Sequence, residues 1–267
     1  MKPSEIKAVL AEMGGKANKA LGQHFLVDEH ALQSIVASAD INTNDRVLEI
    51  GPGLGVLSLA LREAGAEVFA IEQDRRFLER LEAEGISVTH GDAAVLDWEA
   101  VIGIAPWKFV SNLPYSITSL AIRKALYAPR PPERVVVLIQ REVAERAIAR
   151  DGKHSLLSLM VAFATSSARI VKRVPPGAFF PPPKVQSAVL ELIPLSNSER
   201  EKKWGMDPEK IMKIAKLGFA HPRKKVRSNV STCLFTEEDF VFAGITEMAR
   251  AEDLLPEQWA KLASRKS

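Results

Sequence analysis

The segment Glu49-Ile50-Gly51-Pro52-Gly53-Leu54-Gly55 sets three glycines at alternate positions behind a carboxylate, between an apolar run and a helical one. Glycines at such a junction let the backbone turn tightly and approach a ligand with no Cβ in the way. A dinucleotide fingerprint, G-x-G-x-x-G, asks for its last glycine where this chain has Val56. Glu49, two residues before the first glycine, would repel a pyrophosphate and attract a cationic amino acid. The pattern therefore favours S-adenosylmethionine over a nicotinamide dinucleotide, with Glu49, Gly51 and Gly53 at the cofactor. Glu72 closes the next apolar run, VFAIEQD, 21 residues after Gly51, where a carboxylate can accept hydrogen bonds from both ribose hydroxyls. Asp92, in THGDA, follows a third run and is placed for the adenine amino group. Any one such acid is most simply a solvated residue at a strand end. Three at successive strand ends form a register, and the cofactor assignment rests on it.

A fourth run, KFVS, ends in Asn112-Leu113-Pro114-Tyr115. An adenine amine is a poor nucleophile because its lone pair is delocalised into the ring. Acceptors that bind both of its hydrogens favour the pyramidal form that attacks a methyl group. The Asn112 side-chain oxygen and the Leu113 carbonyl can supply them, Pro114 restrains the backbone that aims them, and Tyr115 offers a ring on which a base can stack. No strong general base is needed, since a sulfonium departs as a neutral thioether and the resulting ammonium sheds a proton.

These residues need a scaffold that delivers strand ends to one edge. Apolar runs alternate with helical patterns from RVLEI through RVVVLIQ and REVAERAIAR. That rhythm predicts βαβ units and a largely parallel sheet covered on both faces. Asp28 is expected to cap a helix carrying Ala31, Leu32, Ile35, Val36 and Ala39 on one face. A helix is expected over Ser155–Ala164. ARIVKRV and VQSAVLELI flank a proline-rich loop and predict an antiparallel hairpin at the sheet edge. Past Pro194 only helical patterns remain. The expected fold is α/β and Rossmann-like, a class I S-adenosylmethionine-dependent methyltransferase with a small C-terminal α-helical domain. The expected divisions are a basic N-terminal segment at 1–26, too polar in its Gly/Lys/Asn-rich part to pack as core, a methyltransferase domain at 27–195 and a helical domain at 196–267.

With 267 residues, 46% hydrophobic and 26% charged, the chain can bury a sizeable core. The apolar runs are short and the first residues alternate charge with aliphatics, so neither a membrane span nor a secretory h-region is expected and a cytoplasmic location is the default. One cysteine, Cys233, excludes an internal disulfide, and five dispersed histidines lack metal-ligand spacing, so no metal is expected. The net charge of +3 does not by itself imply a nucleic-acid partner. Its distribution says more: from Lys210 to Val230 there are seven basic residues (Lys210, Lys213, Lys216, Arg223, Lys224, Lys225, Arg227) and no acid. His90, His154 and His221 are assigned no role, and Trp98 and Trp107 are expected to pack around the strand leading to Asn112. Lys16 and Lys19 fit an RNA contact and a solvating tail equally well.

The runs KALGQHFL, VLEIGPGLGVLS, VFAIEQD, HGDA, VSNLPYSI, AFFPPPKVQSAV and FAHPRKKVRSNV, in this order along nearly the whole chain, resemble the ribosomal RNA adenine dimethyltransferases, in particular the small-subunit (16S) rRNA adenine N6,N6-dimethyltransferase family. The resemblance implies transfer of two methyls from S-adenosylmethionine to each of two adjacent adenosines in a hairpin loop near the 3′ end of 16S rRNA, within the immature small subunit and contributing to its biogenesis. It implies that His24 and Leu26 border the cofactor, that Glu72 holds its ribose and Asp92 its adenine, and that Asn112 lies between cofactor and target. Phe179 would be the second plate of a clamp with Tyr115. His24 stands where the family usually has Asn, and its imidazole retains one hydrogen bond of either kind. The match of FAHPRKKVRSN makes Arg223, Lys224, Lys225 and Arg227 candidates for RNA phosphates, which position without reading sequence. A monomer is expected. Two alternatives stand beside this: a large-subunit rRNA adenine methyltransferase conferring antibiotic resistance, which shares the N-x-P-[YF] element, and a non-catalytic ribosome-assembly factor.

Overall fold

The computed structural model describes residues 1–230 and 234–266; Cys233 lies outside them. Among the described residues nine strands form: β1 (Phe25–Leu26), β2 (Arg46–Ile50), β3 (Glu67–Glu72), β4 (Ser87–His90), β5 (Trp107–Asn112), β6 (Arg134–Gln140), β7 (Thr165–Val174), β8 (Phe179–Phe180) and β9 (Ser187–Pro194). Seven of them make one sheet in the order β4-β3-β2-β5-β6-β9-β7. The first five in that order run parallel, and β9 joins antiparallel to β6. Strand order reverses between β2 and β5, and ligands of open α/β sheets bind in the crevice beyond the strand ends at such a switch. The central runs are Val- and Ile-rich because both faces are covered: five of the seven residues of β6 are fully buried.

The helices are α1 (Pro3–Glu12), α2 (Glu29–Ala39), α3 (Val56–Glu63), α4 (Leu78–Ala83), α5 (Trp98–Ile102), α6 (Thr118–Leu126), α7 (Arg141–Ala147), α8 (Leu156–Ala164), α9 (Asn197–Trp204), α10 (Pro208–Gly218), α11 (Val226–Asn229), α12 (Glu237–Phe242) and α13 (Pro256–Ser264). Asp28 caps α2 as expected, accepting from the Ala31 N–H at 2.9 Å. Trp98 stands 5.2 Å from Phe109 of β5 and donates to the Ala93 carbonyl.

The chain divides into two compact units, and the division departs from the expected one. The first unit is Met1–Ala128 with Pro132–Ala144 and Arg169–Ile193; the second is Pro129–Pro131 with Glu145–Ala168 and the chain from Pro194 onward. Residues 1–26 are not a separate segment, because Ile6 and Leu10 of α1 are sunk in the same core as Ile35, Val47 and Phe77. Residues 145–168 leave the sheet unit, because α8 turns Leu159 and Phe163 into the core of the second unit with Ile211, Ala215 and Trp259. A helical periodicity reports that a helix has an apolar face and is silent about which core receives it.

Candidate active site

Gly51, Gly53 and Gly55 connect β2 to α3, and all three have left-handed backbones, with φ of 67°, 55° and 82°. Side chains are disfavoured at these three positions because L-residues avoid such φ values, and at Gly53 a Cβ would also lie 2.9 Å from the Phe25 ring. A Cβ on Gly51 would meet Pro114 Cγ at 3.3 Å, so the glycine turn and the Asn112–Tyr115 loop abut. A cavity opens there, bordered by the glycine turn, His24, Leu26, Glu49, Glu72, Asp92 and the Asn112–Tyr115 loop. Every residue expected at the cofactor is thus drawn from distant parts of the sequence to one place.

Glu49 sits at 1% exposure and accepts from Ser58 Oγ at 2.5 Å. Burial pushes its carboxyl up to about 8, with the neighbouring Glu72 charge adding and the Ser58 bond opposing. The expectation of a standing anion at Glu49 is corrected: removed from water, the acid holds its proton at neutral pH until a cation enters. Glu72 Oε2 accepts from the Gly53 N–H at 3.0 Å and Oε1 from the Asp74 N–H at 2.7 Å. Burial raises this acid too, against main-chain hydrogen bonds from Asp74, Gly53 and Gln73. An ionised carboxylate has about four lone-pair sites, so acceptor capacity remains for a ribose hydroxyl. Asp92 Oδ1 accepts from the Ala94 N–H at 2.8 Å, and the residue borders the cavity.

Asn112 Nδ2 donates to the His24 carbonyl at 3.2 Å. A carbonyl only accepts, so this bond sets the amide's orientation and leaves Oδ1 as the free acceptor. The Leu113 N–H is spent on the Leu138 carbonyl at 3.1 Å. Tyr115 Oη and Ser187 Oγ are 2.6 Å apart, and burial raises the phenol with that bond opposing. His24 Nδ1 lies 2.7 Å from the Pro181 carbonyl and therefore carries the proton; its ring is stacked on Tyr115 at 5.9 Å and 27°.

Phe179 departs from expectation. It pairs with Leu26 across the β1–β8 ladder, is 3% exposed within the core and does not border the cavity. Pairing with Leu26 holds Phe179 in the core, and His24 is the ring that faces Tyr115. Among the four proposed phosphate ligands, Arg223 and Lys224 are exposed. Lys225 pairs with Glu247 at 3.2 Å. Arg227 is corrected: it pairs with Glu237, donates to the Ile245 carbonyl at 2.7 Å and lies over the Phe240 ring, so its guanidinium is engaged within the second unit. The acid-free count along residues 210–230 missed acids that return from farther along the chain.

Several partners were not singled out from sequence. Ser187 closes the FFPPPKVQS run and could have been noticed there, Ser58 lies one turn into the helix after the glycines, and Gln23 ties the 18–24 loop to Asp74 at 2.8 Å beside the Asp74–Arg76 pair. Among the described residues no group of three or more His, Cys, Asp or Glu could hold a metal ion. No described helix is long and apolar enough to cross a membrane.

A parallel sheet with a glycine turn at its switch point, a buried acid behind that turn and carboxylates at the next two strand ends defines a class I S-adenosylmethionine-dependent methyltransferase. The residues fit that cofactor: a glycine cradle that a Cβ would block, an acid for an ammonium group and acceptors for a ribose and an adenine. The family described as Ribosomal RNA adenine dimethylase matches residues 14–267, and the chain belongs to it. It is 36% identical to a "Ribosomal RNA small subunit methyltransferase A" of Dehalococcoides mccartyi over 92% of this chain and 87% of that one. Its identity to the protein of that name from Syntrophotalea carbinolica is 38%, over 94% and 97%. Among solved structures, a 23S rRNA methyltransferase, ErmE, and a dimethyladenosine transferase from Plasmodium falciparum each superpose with a TM-score of 0.71 at 25% identity. Each alignment covers 90% of this chain, with 98% of the former and 96% of the latter.

Proposed function

We propose that the protein dimethylates N6 of two adjacent adenosines in a hairpin loop near the 3′ end of small-subunit rRNA, acting as a monomer in the cytoplasm on the immature small subunit and so contributing to its biogenesis. The observation that carries the chemistry is the orientation of Asn112, whose amide nitrogen is committed to the His24 carbonyl and whose oxygen is free. The cofactor supplies, when bound, a methyl group on a sulfonium. Glu49 would meet its ammonium group, Glu72 its ribose hydroxyls and Asp92 its adenine, with His24, Leu26, Gly51 and Gly53 bordering it.

Asn112 Oδ1 and the Leu113 carbonyl then accept the two hydrogens of the target amine, drawing its lone pair out of conjugation, and Pro114 keeps the two acceptors at one spacing. Tyr115, pinned at its tip by Ser187, offers the stacking face for a base taken out of a loop, where unstacking costs little. A mono-methylated amine has one hydrogen left, so the second transfer uses one acceptor of the pair. Arg223 and Lys224 are exposed and would meet backbone phosphates.

Incubation with labelled S-adenosylmethionine and either immature small subunits or large subunits, followed by mass spectrometry of digested rRNA, tests this. Dimethyladenosine at two adjacent small-subunit positions is expected. Product on the large subunit alone would assign the protein the resistance-type activity instead, and no product on either would leave an assembly factor.

A further inference from the structure

Lys124 stands on α6, nine residues beyond Tyr115, and its side chain is bound to the loop that follows β4. Its ammonium donates to three main-chain carbonyls of that loop: Leu96 at 2.7 Å, Ala93 at 3.0 Å and Ala94 at 3.3 Å. An ammonium has three protons, so all of its donors converge on one short turn. The Nζ also lies 5.1 Å from the Trp98 ring, whose Nε1–H reaches the Ala93 carbonyl at 2.8 Å from a second direction. Burial works against this charge, and Asp92 and Asp97 support it. A half-buried cation is costly to keep unless its geometry is used, and here that geometry fixes a main-chain conformation.

The turn so held is the one that carries Asp92. Within it, Asp92 Oδ1 accepts from the Ala94 N–H, while the Asp92 carbonyl accepts from the N–H groups of Val95 and Leu96, each at 3.0 Å. The carbonyls of residues 93, 94 and 96 therefore face Lys124, and Asp92 borders the cavity. If the turn rotates, so does the carboxylate. We infer that Lys124 is a positioning residue for cofactor recognition, holding the Asp92 carboxylate where it accepts from the exocyclic amine of the cofactor's adenine. It also ties that adenine subsite to the helix that follows the Asn112–Tyr115 loop. The inference rests on the proposal that Asp92 receives the adenine.

Calorimetric binding of two probes to the full chain separates the possibilities: S-adenosylhomocysteine, and its deaminated analogue S-inosylhomocysteine, which lacks the amine. Lys124→Met keeps the aliphatic stem and removes the three donors. It is expected to weaken S-adenosylhomocysteine about tenfold, the scale of one charge-assisted hydrogen bond, and to leave S-inosylhomocysteine near its wild-type affinity. In an Asp92→Ala background the same substitution is expected to add less than about twofold, since residues acting through one interaction are not additive. Retention of the analogue's affinity shows that the variant is folded. If Asp92→Ala binds S-adenosylhomocysteine as the wild type does, the assignment of Asp92 fails, and the inference with it. Three results would overturn the inference alone while Asp92→Ala weakens binding: no effect of Lys124→Met, equal weakening of both probes, or full additivity with Asp92→Ala.

Discussion

Substitution of Glu49 by Gln should make the fold more stable and the cofactor weaker, and the size of the first effect follows from the environment of the acid. Glu49 is 1% exposed and its carboxyl is raised from 4.5 to about 8, first by burial. Between those pH values the folded chain keeps a proton that the unfolded chain has lost. Stability is therefore full below pH 4.5, falls as pH rises and levels off above about 8. At 1.36 kcal/mol per pH unit the whole decline is about 5 kcal/mol, and about 3 kcal/mol of it is in place at pH 7. Glu49→Gln has nothing to ionise and can keep the Ser58 hydroxyl as a donor to its amide oxygen, so it should recover most of that loss. Urea unfolding of both proteins at pH 5, 7 and 8.5 measures it: curves that nearly coincide at pH 5 should separate progressively toward pH 8.5. A cation entering the cavity favours the ionised acid, so cofactor binding to the wild type at pH 7 should release close to one proton. Calorimetry in buffers of different ionisation enthalpy would register the release, and Glu49→Gln should abolish it. Parallel stability profiles for the two proteins, or proton release by the variant, would refute the reasoning.

Asn112→Ala should leave cofactor affinity nearly unchanged and lower methyl transfer by roughly 10²-fold or more, as loss of a transition-state acceptor does; single-turnover kinetics with saturating cofactor would expose near-normal transfer if the residue is idle. Gly53→Ala should cost about 1–3 kcal/mol in thermal or denaturant unfolding, since φ is 55° and the new methyl meets Phe25 at 2.9 Å. Joint Arg223→Ala and Lys224→Ala substitution should flatten the salt dependence of RNA binding by about 0.7–0.9 log units for each phosphate no longer neutralised, and an unchanged slope would return both to plain surface residues. Arg227→Ala should instead lower stability, visible as a reduced Tm of the protein without RNA, because its guanidinium is bound to Glu237 and Ile245.

The parallel sheet was legible because its central strands β2, β5 and β6 are short buried runs that alternate with helical patterns, which local chemistry suffices to show. Asp28 announced α2 through its side chain, and the glycines of 51–55 announced a turn that only they can make. What depends on partners far along the chain was not legible. Phe179 lies in a two-residue strand too short for alternation to declare a face, and its orientation comes from pairing with Leu26. The acid of Glu49 is set by how much water the finished fold excludes, which no neighbour in sequence determines. Arg227 looked free because its acid, Glu237, lies ten residues away and its carbonyl partner, Ile245, farther still. The affiliation of α8 was decided by Ile211 and Trp259, far downstream on α10 and α13.

The 3.3 Å approach between a would-be Cβ at position 51 and Pro114 has an outcome for how this pocket can change. Two walls in direct contact share one tolerance, so neither can be enlarged or shifted by a lone substitution without pressing on the other. Laboratory selection for acceptance of a bulkier alkyl donor should accordingly recover coupled changes at 51 and 114, or relief from the His24 side, in preference to isolated replacements at either glycine or proline.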